Sequence, residues 1–303
     1  MKVFVNRKPV DGPWGGGNKT LKSLVSSLSD HADIVYDLDH NDIDVLFCMD
    51  PRPDNSGVWY QDLLNYRDKF GAKIVQRVGD VGSHGKPDLT QLVHQSSNLS
   101  DFLIFPSDWA RKSIRFEKKN YSIIYNSPLQ AFYGHRKDNS EIVGKLRVIT
   151  HHWSNNTMKG FDIYERLGEY CKAREDIEFT YIGRYSGEFS SDGINVVEPK
   201  DVDFLIEELP KHDVYLTASR FEAGANHVLE GLAAGLPVVY RTGGGSIDEY
   251  CSQYGLEYSD FDSLISCLSE IQNNSQIFKR SAMKFDREIL QTIDRYVDVI
   301  LKA

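Results

Sequence analysis

The sequence predicts an α/β chain of two doubly wound domains, each a parallel sheet covered by helices, with a helix closing the C-terminus. Three observations predict it. Short β-branched and aromatic runs alternate with longer amphipathic stretches, the short runs are apolar throughout, and the alternation lapses over residues 128–145. Strands buried on both faces need an apolar residue at every position, so this alternation specifies parallel sheets with helices on two sides. At 303 residues and 41% hydrophobic composition, the chain also exceeds the usual span of one core.

The first series of strands is read at Val3-Phe4-Val5, Ile34-Val35-Tyr36, Val45-Leu46-Phe47, Ile74-Val75, Phe102-Leu103-Ile104-Phe105 and Ile123-Ile124-Tyr125, with helical patterns near 18–29, 57–70, 88–99 and 107–116. Gly134, Asp138, Asn139, Ser140 and Gly144 then cluster as in a connecting segment. The expected division is therefore a first domain over 1–128 and a second over 129–284. The second series starts at Leu146-Arg-Val-Ile149 and continues through 177–182, 194–197, 214–216 and 236–240. Residues 278–303 read as helical. Ile289, Ile293, Tyr296 and Ile300 form one apolar stripe, and the terminal helix over 285–303 is expected to pack back on the first domain.

A net charge of −9 excludes a general nucleic-acid binder, whose affinity would rest on Lys and Arg neutralising phosphates. The acidic excess lies beyond residue 127. Cys48, Cys171, Cys251 and Cys267 lie far apart without a C-x-x-C pair, the pattern of free thiols in a reducing compartment. Lys2-Val-Phe-Val-Asn6 reads as a strand, without the apolar stretch and cleavage site of a signal peptide. No apolar run approaches the roughly 20 residues that span a bilayer. The expectation is a cytoplasmic protein.

The segment from Ala218 to Val239 reads as strand end, small-residue loop, helix, glycine stop and next strand. Gly235 suits the left-handed position after a helix, and Pro237 cannot extend one. Ala223, Gly224 and Ala225 leave room for a ligand at the backbone, and free amides near Asn226, His227 and Val228 would present partial positive charge to an anion such as a diphosphate. His227 would contact that anion or cap the helix. Glu222 precedes the helix and Glu230 lies about a turn inside it, so both carboxylates can accept from hydroxyls on either side. Hydrogen bonds to charged groups contribute roughly 1.5–3 kcal/mol each.

This segment resembles the E-x7-E signature of glycosyltransferase family 4, a large group of retaining enzymes with the GT-B fold of two facing Rossmann-like domains. Glu222 and Glu230 match its two glutamates. The resemblance implies that Glu222 contacts hydroxyls of the transferred sugar and Glu230 the nucleotide ribose. Thr242-Gly-Gly-Gly-Ser-Ile-Asp-Glu249 resembles the Gly-Gly turn of the family, before a helix bearing an acidic residue. Gly12-Pro-Trp-Gly-Gly-Gly-Asn-Lys-Thr20 resembles its glycine-rich loop, with Gly16 and Gly17 meeting the donor phosphate. Phe105-Pro-Ser-Asp-Trp-Ala-Arg111 resembles the turn into the last helix of the first domain. Lys159-Gly160 resembles the phosphate-binding Lys-Gly of the family. His84 lies where the family often places a histidine near the sugar. In membrane-associated relatives a basic surface docks on anionic lipid at about 1 kcal/mol per charge. Arg111, Lys112, Arg115, Lys118 and Lys119 could serve so at the inner membrane face, or simply form a solvated helix face.

One departure matters. The family has Gly-Arg shortly before its lysine, where this chain has His151-His152-Trp153-Ser154-Asn155-Asn156. Arg184 could replace that arginine, or Ser154 and Asn156 could donate neutral hydrogen bonds. Trp14, Trp59 and Tyr60 could form an acceptor platform or pack in a core. The glycine loop misses a P-loop because Asn18 separates Gly17 from Lys19, and misses G-x-G-x-x-G because Thr20 stands at the last glycine. Four D-x-D triplets stand away from the glycine loops, and adjacent His151 and His152 point to opposite faces, so no metal is expected. The resemblance implies transfer of a sugar from a nucleoside-diphosphate sugar to a carbohydrate or lipid-linked acceptor, with no resident cofactor. The alternatives are a non-catalytic sugar-nucleotide-binding protein and another activated-sugar enzyme of this fold, such as an epimerase.

Overall fold

The computed structural model describes residues 1–11, 16–53, 57–117, 120–136 and 141–303. Of the positions singled out in the sequence, Gly12, Pro13, Trp14 and Gly15 of the glycine loop, Lys118, Lys119, Asp138, Asn139 and Ser140 lie outside the described residues. The chain divides into two compact units, Met1–Asn126 with Ile289–Ala303, and Ser127–Glu288.

The first unit runs β1 (Lys2–Val5), α1 (Gly16–Leu28), β2 (Asp33–Val35), β3 (Val45–Cys48), α2 (Tyr60–Phe70), β4 (Lys73–Arg77), α3 (Pro87–Leu99), β5 (Phe102–Phe105), α4 (Asp108–Ser113) and β6 (Tyr121–Ile123). The second runs β7 (Leu146–His152), α5 (Phe161–Lys172), β8 (Ile177–Gly183), β9 (Asn195–Val197), α6 (Val202–Glu208), β10 (Val214–Thr217), α7 (Asn226–Ala233), β11 (Val238–Arg241), α8 (Ser246–Cys251), β12 (Gly255–Tyr258), α9 (Phe261–Asn273) and α10 (Ser275–Met283). The last helix, α11 (Ile289–Leu301), returns to the first unit. Each unit holds one six-stranded parallel sheet, in the orders β2-β1-β3-β4-β5-β6 and β12-β11-β10-β7-β8-β9.

The two-residue period of a strand distributes the first core. Val3, Val5, Val45 and Phe47 face α1 and α11, where they meet Leu21, Leu24, Ile293, Tyr296 and Ile300. Phe4, Leu46 and Cys48 face the other way and meet Tyr60 and Leu63 of α2. Gly71 ends α2 at φ 83°, its amide on the Arg67 carbonyl at 2.7 Å, a conformation that favours glycine. All four cysteines are free, three of them buried. Among the described residues no helix is long and apolar enough to cross a membrane.

The structure departs from the periodicity in two places. Residues 284–288 interrupt the helix expected over 278–303. Arg136 donates to the carbonyls of Met283 (3.1 Å) and Phe285 (2.6 Å), and the Tyr133 hydroxyl bonds both the amide and the carbonyl of Arg287. Buried Phe285 stacks on Tyr133 and meets Tyr254 edge-on. Side chains thus take the backbone groups that a continuous helix would use. The second departure is β12, absent from the strand reading: this edge strand is only partly buried, so it lacks an all-apolar run.

A buried charge ties three elements of the second unit. Asp213, just before β10, accepts from Arg147 of β7 through Nε (3.0 Å), Nη2 (3.1 Å) and the amide (3.0 Å), and from Lys279 of α10 (3.1 Å). Burial pushes its carboxyl pKa up, but the Arg147 hydrogen bonds and the Lys279 charge outweigh this and hold it below the usual carboxylate value. Breaking a fully buried pair costs about 3–5 kcal/mol, and the partial exposure of Arg147 lowers the expectation for Asp213→Asn to about 2–3 kcal/mol, measured by urea unfolding at pH 7. A lowered folded-state pKa means that unfolding takes up protons. The contribution is therefore present above the unfolded value of about 3.9 and lost as pH falls through the folded one. The stability gap between wild type and variant should stay level from about pH 5 to 8 and close below about pH 4. A gap that persists at low pH would remove Asp213 as its source.

Candidate functional site

The site of the second unit forms where the loops after β7, β10 and β11 meet. Strand β7 ends in His151 and His152, both buried. The His152 ring bonds the Tyr164 hydroxyl (2.7 Å), which accepts from the Ala218 amide (2.9 Å). His151 Nε2 lies 2.8 Å from Glu230 Oε2, and its Nδ1 lies 3.0 Å from the Tyr215 hydroxyl. Glu230, 4% exposed on α7, is thus oriented by a histidine from a neighbouring strand.

After β7, the Ser154 hydroxyl accepts from the Asn156 amide (3.2 Å), and Asn156 Oδ1 caps the turn over Thr157–Lys159 by accepting from the Met158 amide (2.9 Å). Gly160 follows at φ 82°. A Cβ there would meet the Ala218 carbonyl oxygen at 2.5 Å, so this loop lies hard against the end of β10. The Arg220 amide donates to the Met158 carbonyl (3.0 Å) and joins the same two loops. Across that junction Lys159 Nζ pairs with Glu222 Oε1, with side chains 12% and 13% exposed. Two charges this far from water need each other, because the effective penalty for an isolated one is several kcal/mol.

Glu222 is also fixed through its backbone. Its amide donates to the Gly244 carbonyl (3.0 Å), and its carbonyl accepts from the Ser246 amide (2.8 Å). Phe221 before it has φ 54°, the one positive φ outside glycine among the described residues, a strained state for an aromatic residue. Gly243 and Gly245 supply the partner turn at φ 77° each.

Ala225 precedes α7, and among the described residues no side chain caps the helix. The Ala225 amide donates to Ser246 Oγ (3.0 Å), and Gly224 stands partly exposed beside it. Asn226 Oδ1 is buried and has no hydrogen-bond partner among the described residues. His227 Nε2 lies 3.0 Å from Thr217 Oγ1, and its ring meets that of His152 at 5.0 Å. Burial, then the nearby Lys159 charge, pushes its pKa down to about 3, so the ring is neutral near pH 7. Burial, then the Glu257 charge, raises Asp248 to about 6. Lys159 and the amides of α7 therefore supply positive potential, while Glu222 and Glu230 offer acceptors on either side. An anion flanked by hydroxyl groups fits this arrangement.

The structure brings Lys159, Glu222, Gly224, Ala225, Asn226, His227 and Glu230 together, with Ser154 and Asn156 on the loop leading to the lysine. Arg184 stands apart: exposed at the end of β8, its guanidinium lies over the Trp153 ring at 4.8 Å. The remaining candidates belong to the first unit. Gly16 opens α1, Gly17 lines a cavity there, and His84 lies in a turn between β4 and α3. Arg111 and Lys112 pair with Asp108 at 2.6 Å each and, with Arg115, border a recess of about 750 Å³. Trp59 is exposed, whereas Tyr60 is buried. The sequence reading missed His151 as the partner of Glu230 and the left-handed Phe221. The preceding strand and the Gly243–Gly245 turn were visible, but not which side chains they would meet.

No family model matches the chain, and no curated protein does. Solved structures match along its length. WaaG, a glycosyltransferase involved in lipopolysaccharide biosynthesis, matches with a TM-score of 0.73 and 12% identity over 100% of both chains. Anabaena HepE, solved in complex with UDP-glucose, matches with a TM-score of 0.71 and 11% identity over 100% of this chain and 99% of that one. Sucrose-phosphate synthase from Thermosynechococcus elongatus matches at 0.69 and 12%, over 99% and 96%. Two parallel six-stranded sheets, each flanked by helices, together with these full-length matches, give the chain the GT-B fold of glycosyltransferases.

Proposed function

We propose that the chain is a glycosyltransferase that moves a sugar from a nucleoside-diphosphate sugar to an acceptor hydroxyl, with retention and without a metal ion. The observation that carries this reading is the Lys159–Glu222 pair beside the uncapped start of α7. The donor diphosphate lies against Lys159 and the first amides of α7, Glu222 accepts from sugar hydroxyls, and Glu230 accepts from the ribose. HepE was solved with UDP-glucose, which makes UDP-sugars the first donors to test.

In the reaction the bond from the anomeric carbon to the phosphate oxygen breaks, and the acceptor oxygen bonds that carbon on the same face. The acceptor proton passes to the departing phosphate. Negative charge grows on the diphosphate as the bond opens, so Lys159 and the helix amides act where charge develops. With Arg184 over Trp153, Lys159 is the side-chain cation that serves this role.

Lys159→Met should lower transfer by about 100-fold or more, the scale of losing one preorganised donor to a developing anion. Thermal shift with UDP should show that the protein still folds. Glu222→Gln keeps an oxygen for Lys159, so it should slow transfer about 10- to 100-fold while changing UDP affinity little. Glu230→Gln should instead weaken UDP itself, by about tenfold. Donor hydrolysis by the purified chain reads both rates. Unchanged turnover in both glutamate variants would overturn the reading, and UDP-sugar binding without any hydrolysis or transfer would mark a binding protein instead.

A further inference from the structure

The first unit holds a cavity of about 1050 Å³. Its lining follows the carboxyl ends of β1, β3 and β4, through Arg7 and Lys8, Asp50 and Arg52, and Arg77 to Asp80. The charges on this wall do not balance. Asp50 is taken by Arg52 Nε at 3.0 Å with Arg7 at 3.7 Å, and Asp80 by Lys86 at 2.8 Å. Arg77 and Lys8 have no carboxylate partner among the described residues. Arg77 Nε donates to the Tyr296 hydroxyl (3.1 Å) and its Nη2 to Asn126 Oδ1 (3.3 Å), while exposed Lys8 stands over the Tyr36 ring at 5.4 Å.

Arg77 is only 6% exposed. A guanidinium held that far from water by neutral partners alone is costly, and it carries five N–H donors, of which two are used. A Cβ at residue 79 would lie 1.8 Å from Arg77 Nη1, so Gly79 leaves room for the guanidinium in its buried position. A buried cation on a cavity wall, with donors to spare, is built for an anion. Forked N–H groups suit a carboxylate or phosphate, and the cation does not lose its charge.

We propose that this cavity binds the acceptor through an oxyanion, with Arg77 as the anchor and Lys8 as a second cation. The proposed transfer needs an acceptor hydroxyl and the two cations need an oxyanion, so the acceptor is a small polyol or sugar bearing a phosphate or carboxylate, with Leu21 and Met49 as an apolar wall of the cavity. Calling it the acceptor rests on the glycosyltransferase reading; the oxyanion site does not.

Calorimetry on the full chain with saturating UDP tests the site, using glycerol 1-phosphate, glycerate and glycerol as probes. At least one anion should bind, and glycerol should not; which anion binds separates phosphate from carboxylate. Phosphatidic acid vesicles in a sedimentation arm separate a lipid-borne phosphate from a soluble one. Arg77→Met should weaken the anion on the order of tenfold or more, and Lys8→Met by a smaller factor, about threefold. Arg77 also holds Tyr296, so if Arg77→Met fails to fold by circular dichroism, the exposed Lys8→Met variant decides. Anion affinity unchanged in every folded variant, no anion bound by wild type, or binding abolished by UDP would each overturn the proposal. If UDP itself does not bind, the donor reading fails, yet the anion measurement still decides this site.

Discussion

Each sheet reverses its strand order once, and both sites of interest lie at the reversal. In the second unit the chain builds β7, β8 and β9 outward in one direction, then returns to lay β10, β11 and β12 on the other side of β7. Right-handed crossovers then place the helices after β7 and β10 on opposite faces, so the loops at their carboxyl ends diverge and leave a crevice. Lys159 leaves one side of that crevice and Glu222 the other. In the first unit the reversal lies between β1 and β3, whose following loops carry Lys8 and Asp50. Topology thus fixes where a ligand can approach before any side chain is chosen.

The floor beneath the second crevice is polar, which raises the demands on its hydrogen bonds. His151 and His152 are buried side by side, and each is satisfied from a different element, by Glu230 and Tyr215 on one side and by Tyr164 on the other. A half-satisfied network would be worse than an apolar one, so these contacts also fix where Glu230 points. The strain at Phe221, of order 1–3 kcal/mol, persists because the Gly243–Gly245 turn takes the neighbouring backbone groups. Desolvation and the nearby Lys159 charge keep His227 neutral near pH 7, so it does not share the positive charge. That role is left to Lys159.

Architecture was legible in the sequence because strands buried on both faces must be apolar throughout, and the two runs of Val, Ile and Phe show it. The loop-and-helix pattern singled out Glu222 and Glu230, and a resemblance singled out Lys159; the fold brings the three into one region of the second unit. What spacing cannot carry is partnership across the sheet. Lys159 and Glu222 stand 63 positions apart, and His151 and Glu230 stand 79 apart. Arg184 shows the same limit: its place after a strand suggested a diphosphate ligand, but which neighbour it stacks on depends on Trp153 across the β7–β8 pair. The sequence analysis did not single out Arg77, because only the fold reveals that it is buried with no carboxylate partner among the described residues.

Lys159 and Arg77 solve the storage of a buried positive charge in opposite ways. Lys159 is neutralised by Glu222, so neither side chain bears an uncompensated charge. On the proposed reading a donor exchanges that pair: the diphosphate takes the lysine and sugar hydroxyls take the carboxylate. Both groups change partners without being left alone, and the same exchange releases Glu222 toward the sugar only when a phosphate is present to hold Lys159. Among the described residues Arg77 meets a phenol and an amide and no carboxylate, so an oxyanion reaching it displaces no carboxylate. A ligand at Arg77 gains its full charge interaction, whereas a donor at Lys159 gains only the difference between diphosphate and glutamate. On that reading, such a balance lets the site discriminate by the whole arrangement of phosphate and hydroxyls rather than by charge alone.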